Sequence, residues 1–124
     1  MTKISFSIYH NLRCSKSRKA LEILNSKTKD FKIIKYLENG IDIIELESIL
    51  DLNNISKDEI IRTNENSYKE LKLTKKDLSK DAIIKFIYKF PILLQRPIIC
   101  KYQNNKLVQS VIGRPQETVL SLFD

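Results

Sequence analysis

Near its amino terminus the chain switches hydrophobic period twice, and those switches limit the folds open to it. Ile4, Phe6 and Ile8 alternate with Ser5, Ser7 and Tyr9, the period of a strand. From Ser15 onward Ala20, Leu21 and Leu24 recur at helical spacing, predicting a helix to about Ser26. Phe31 to Leu37 is again apolar and rich in β-formers, so it reads as a second strand. A connection that holds a helix is too long for a hairpin, so the two strands should run parallel.

The middle of the chain reads as helical. Ile43, Leu46, Ile49 and Leu50 mark one helix, with Gly40 just before it. Ser56-x-x-Glu59 has the form of a capping box and should open a short helix carrying Arg62. Ser79 is placed to cap a further helix lined by Ile83, Ile84, Ile87 and Phe90, which Pro91 stops. Ile98-Ile99-Cys100 and the run from Leu107 to Ile112 then flank Asn104-Asn105, predicting a hairpin of open turn type. Gly113-Arg114-Pro115 ends the last strand, Pro115 suits the first position of a closing helix, and Val119, Leu120 and Phe123 should supply its buried side. The order describes one α/β domain, residues 1–124, with a mixed sheet and a helical insertion at about 41–90.

Composition excludes several classes. A 42% hydrophobic content with only two Gly and three Pro supports a packed core and argues against disorder. No apolar run approaches the roughly 18 residues of a membrane helix, and no secretory signal opens the chain. The expectation is a soluble, cytoplasmic protein, monomeric for want of a heptad or a large apolar face. The formal charge of +7 is spread over helical faces mixed with acids, without basic blocks or interleaved aromatics, so nucleic acid is not an expected partner. Two Cys and one His cannot furnish a zinc site, so no metal is expected.

The chemistry concentrates in His10-Asn11-Leu12-Arg13-Cys14-Ser15-Lys16-Ser17-Arg18, where the first strand gives way to the first helix. Such a junction aims free amides and the positive helix end at its occupant. A thiol there should be acidified, and the thiolate is the nucleophile. Cys14-x-x-Ser17 lacks the second sulfur of a dithiol motif, so a resolving thiol must come from elsewhere. Cys100, in an apolar strand, reads as a small hydrophobe.

This loop resembles that of the glutaredoxin-dependent, ArsC-like arsenate reductases. The likeness continues through Tyr36-Leu37-Glu38, Ile61-Arg62, Tyr68-Lys69-Glu70-Leu71, Pro91-Ile92-Leu93, Arg96-Pro97-Ile98 and Gly113-Arg114-Pro115. It spans roughly Ile4 to Phe123 and is nearest to the short relatives of those enzymes. The resemblance implies a thioredoxin-like fold, a mixed four-stranded sheet with a helical insertion. By position it makes Cys14 the nucleophile attacking arsenate, His10 and Ser17 its supports, Arg62, Arg96 and Arg114 the oxyanion binders, and Pro97 a cis-proline facing the loop. It also implies glutathione as cosubstrate, glutaredoxin as partner, no bound cofactor and a part in arsenic detoxification. Three guanidinium groups suit such a role, since their planar donor forks match an oxyanion and the charge that develops on attack.

The sequence departs from the family at Leu12, where proline is usual; leucine frees the backbone and restores an amide donor. Two other functions fit the same fold. One is a redox-responsive regulator that binds RNA polymerase, like the Spx proteins, which usually carry Cys-x-x-Cys where Ser17 stands here. The other is a general glutathione-linked thiol reductase.

Overall fold

In the computed structural model, residues 2–52, 54–62 and 79–123 are described. The expected motif Tyr68-Lys69-Glu70-Leu71 lies outside them. Strand β1 (Ile4–Tyr9) leads through the cysteine loop into helix α1 (Ser15–Lys27), which returns the chain to β2 (Phe31–Ile34). Short α2 (Tyr36–Asn39), α3 (Ile43–Asp51), α4 (Lys57–Ile60) and α5 (Lys80–Lys89) follow, then a 3-10 turn over Pro91–Leu93. The hairpin β3 (Ile98–Gln103) and β4 (Lys106–Ile112) precedes a closing 3-10 helix, Gln116–Phe123. The sheet has the order β2-β1-β3-β4, with β1 parallel to β2, antiparallel to β3, and β3 antiparallel to β4.

The central strand is covered on both faces, which its alternating sequence did not announce. Phe6 and Ile8 pack with Ala20, Leu24, Ile99, Val119 and Leu122 on the side of α1 and the closing helix. Tyr9, Ile98 and Cys100 face the other way, into a cluster built from α3, α4 and α5. Polar residues survive on that second face because they pair: Ser7 Oγ meets Tyr102 Oη at 2.9 Å, and Tyr9 Oη donates to the Glu45 carboxylate. Burial, reinforced by Glu45 at Tyr9 and by Cys100 at Tyr102, holds both phenols well above their ordinary value.

Local signals explain the element ends. Asp42 caps α3 by accepting from the amides of Ile44 and Glu45, Ser79 caps α5 through the Ala82 amide, and the Ser56–Glu59 box is complete. Gly40 closes α2 at φ +82°, a conformation that favours glycine. Asn104 and Asn105 have φ of 51° and 67°, the paired positive values of a type I′ hairpin turn.

Three expectations need correction. The second strand stops at Ile34, because Tyr36 turns into α2 and is fully buried while Leu37 stays exposed. Arg62 is not on a helix: α4 ends at Ile60, and Ile61 forms an isolated antiparallel bridge with Leu94. The closing helix is 3-10 and starts after Pro115; its three-residue repeat buries Val119 and Leu122 and leaves Leu120 exposed.

Ile8 has no solvent exposure and sits at the middle of the sheet, whereas Ile44 is 73% exposed on α3. Urea unfolding of Ile8→Ala should lose about 2–4 kcal/mol of stability. Ile44→Ala should stay within about 0.5 kcal/mol of the parent.

Candidate active site

The site forms where the carboxyl end of β1, the start of α1, and the β3 and β4 ends on either side of the hairpin meet. Cys14 is the N-cap residue of α1, extended at φ −96° and ψ 119°, and the residue is half-buried. The loop before it is held by its own backbone. Cys14 N–H donates to the Asn11 carbonyl at 3.0 Å, and Asn11 Oδ1 accepts from the Arg13 amide at 3.0 Å. Arg18 on α1 reaches back, Nη1 to the Leu12 carbonyl at 3.1 Å. These bonds order a loop that lacks the usual proline.

His10 and Ser17 form the floor of this loop. Both are buried, and His10 Nδ1 lies 2.6 Å from Ser17 Oγ, which also accepts from the Asn11 amide at 3.1 Å. Burial, with the positive charges of Arg18 and Lys35, holds the imidazole below its ordinary value, so it is neutral at neutral pH. The pair thus acts as a neutral brace between the end of β1 and the first turn of α1.

Two arginines approach from the opposite side. Arg114 follows β4 and places Nη2 3.7 Å from Cys14 Sγ. Its orientation is fixed by a second bond, Nε to the Arg96 carbonyl at 2.6 Å. Arg96 precedes β3, and its guanidinium acts directly on the Cys14 sulfur. The two segments are also joined by Gly113 N–H donating to the Pro97 carbonyl at 2.9 Å, and the Arg96–Pro97 peptide is cis. So is Arg114–Pro115, which sequence reasoning did not anticipate.

Beyond ending β4, Gly113 answers a need for space. A Cβ there would stand 2.9 Å from Pro97 Cγ and 3.1 Å from both Ala20 Cβ and Ile99 Cδ1. The residue lets the end of β4 close onto Pro97 and α1, which brings Arg114 to the sulfur. Arg62 is positioned by the bridge described above: its amide donates to the Leu93 carbonyl at 2.7 Å, and the Gln95 amide donates to the Ile60 carbonyl at 2.7 Å. The backbone therefore sets Arg62 beside the segment that leads into Arg96.

The electrostatics favour a thiolate at Cys14. Burial alone pushes its thiol up, but the amides of Ser17 and Lys16 and the Arg96 guanidinium outweigh it, and the net shift is below the ordinary value. Cys100 behaves oppositely. It is completely buried, and desolvation with the nearby Glu45 charge pushes its thiol up to about 12 despite bonds from Ser7 and Tyr102. Among the described residues no group of three or more His, Cys, Asp or Glu is placed to hold a metal ion. No described helix is long and apolar enough to cross a membrane.

This geometry accords with the family resemblance, and direct comparison decides it. The ArsC family model matches residues 9–122. The chain belongs to the ArsC family. YfgD of Escherichia coli K12 is 39% identical over 98% of both chains. An arsenate reductase of Neisseria meningitidis serogroup A is 38% identical, the alignment covering 90% of this chain and 92% of that one. Among solved structures, an arsenate reductase from Vibrio cholerae superposes with a TM-score of 0.81 at 36% identity, covering 96% of this chain and 98% of the other. The mixed sheet described above is thus the thioredoxin-like sheet of ArsC proteins, with its helical additions on one face.

Three outcomes test the site. In the native protein an alkylating reagent should label Cys14 alone, with Cys100 reacting only after unfolding. The pH profile of Cys14 alkylation should inflect below the ordinary thiol value, and Arg96→Gln should move the inflection upward, since burial then acts with less opposition. Gly113→Ala should slow Cys14 alkylation at neutral pH by displacing Arg114, with mass spectrometry reporting all three experiments.

Proposed function

We propose that this protein is an arsenate reductase in which the Cys14 thiolate attacks an arginine-bound oxyanion. The observation that carries this reading is the approach of Arg114 Nη2 to within 3.7 Å of Cys14 Sγ, beside the Arg96 guanidinium. A nucleophile and permanent cations in such contact suit a tetrahedral anion that gains charge as it is attacked. The Neisseria and Vibrio relatives are arsenate reductases by name, which supports arsenate as that anion.

In this mechanism a sulfur–arsenic bond replaces one arsenic–oxygen bond, and the displaced oxygen leaves as water after protonation. Arg96 and Arg114, with Arg62 as the third member of the set, hold the remaining oxygens. A thiol from outside, glutathione in this proposal, then forms a sulfur–sulfur bond with Cys14. As that bond forms the sulfur–arsenic bond breaks and its electron pair stays on arsenic, which leaves as arsenite, and glutaredoxin reduces the resulting mixed disulfide. Support for an external thiol comes from the chain itself: Ser17 stands where a dithiol would carry its second sulfur and is committed to His10, while Cys100 is sealed in the core. The same commitment of Ser17 weighs against a regulator that senses oxidation by an internal disulfide in this loop.

Arsenite formation from arsenate, glutathione and glutaredoxin should vanish in Cys14→Ser. In Arg114→Lys it should fall roughly 10²-fold in kcat/KM, because charge remains but the fork geometry is lost. Absence of turnover in the unaltered protein removes the arsenate reading.

A further inference from the structure

Strand β2 ends the sheet, and along its open margin the chain leaves a hollow of about 800 Å3. That volume is in the range of small-molecule sites. Residues 32–35 all line it, so the hollow follows the unpaired edge of the strand rather than one face of it. The opposite walls are the turn from α2 into α3 and the carboxyl end of α5. Neither Cys14 nor Arg62, Arg96 or Arg114 lines it. Three ammonium groups do, those of Lys32, Lys35 and Lys89, and among the described residues none of them is ion-paired. The carboxylates in the same walls are held by the protein itself. Asp42 caps α3, accepting from the Ile44 amide at 2.8 Å, and Glu45 accepts from the Tyr9 phenol. Tyr88 is 54% exposed and Ile33 41%, so an aromatic ring and an aliphatic chain stand in solvent among the lysines.

We propose that this hollow is a binding site for a small phosphorylated aromatic molecule of the nucleoside diphosphate class. The inference is independent of the reaction at Cys14. Uncommitted lysines are point charges suited to phosphate oxygens, and here they outnumber carboxylates that already have donors. The exposed Tyr88 ring offers a face on which a planar base can stack, with Ile33 as further apolar surface. Inorganic phosphate would leave the ring unused and most of the volume empty. A nucleic-acid strand would need the cations and aromatics to continue along a track, whereas elsewhere the basic residues are scattered among acids.

The test is calorimetric titration of the full chain with ADP, pyrophosphate and adenosine at low salt. ADP should bind more tightly than either fragment. Lys35→Glu and Lys89→Glu, both at exposed positions, should each weaken ADP roughly tenfold, with the loss shrinking as salt screens the charges. Tyr88→Ser should weaken ADP roughly tenfold and leave pyrophosphate as in the parent. Lys106→Glu, the same charge change at the start of β4 and outside the hollow, should bind ADP as the parent does. Arg114→Gln should do so too, which separates this site from the anion site at Cys14. No binding at millimolar ADP, pyrophosphate binding as tightly as ADP, or an equal loss in Lys106→Glu would overturn the proposal. Loss of ADP binding in Arg114→Gln would overturn it as well, by assigning the phosphates to the reaction site. An oligonucleotide that binds far more tightly than ADP and is weakened equally by Lys106→Glu would overturn it in favour of a diffuse nucleic-acid surface.

Discussion

The site depends on a contest at one atom. Burial of the Cys14 sulfur disfavours its anion, and the start of α1 together with Arg96 reverses the balance. Only the first of these contributions is local to the cysteine. The amides belong to the first turn of a helix whose direction is set by Ala20 and Leu24 packing under the sheet, and Arg96 comes from the far side of the chain. Arg114 is then fixed by the main chain of Arg96 itself, so the two cations form one unit. The Arg96 share of that balance therefore depends on the closing of β3 and β4 onto the β1–α1 junction.

Much of this was legible because strong local signals agreed with the tertiary structure. The switch of hydrophobic period identified β1 and α1, the Ser56–Glu59 box and Ser79 marked true helix starts, and Asn104-Asn105 gave the hairpin. The misread places are those where long-range packing overrides pattern. Tyr36 looks like a strand residue by type, but its ring is buried where α2 turns, at 6.3 Å from that of Tyr9. Arg62 looked helical because the capping box promises a helix, and the pairing of Ile61 with Leu94 ended it after one turn. The closing segment has apolar residues that suit either helical period, and only its packing against α1 selects Leu122 over Leu120.

In the site the sequence marked the participants better than their roles. The family resemblance marks Cys14, His10, Ser17, Arg96, Arg114 and Pro97, whereas Gly113 enters only as part of a motif and strand end, and the tie from Arg114 to the Arg96 carbonyl does not enter at all. A glycine that permits close approach leaves no trace in a single sequence, since its signal is the neighbour it avoids. Leu12 is the converse case. It departs from the family pattern, and the loop keeps its shape through bonds from Asn11 and Arg18 that any residue at that position would allow.

The sheet order also governs how copies of this chain behave toward each other. The strand at one margin, β2, is only four residues long and carries Lys32, with Lys35 just beyond it. At the other margin β4 begins at Lys106, and the register between β3 and β4 slips near Lys101. A short, cationic border on one side and an irregular one on the other make poor templates for intermolecular strand addition. The fold thereby guards against fibrous self-association at concentrations where a longer, flatter border would invite it.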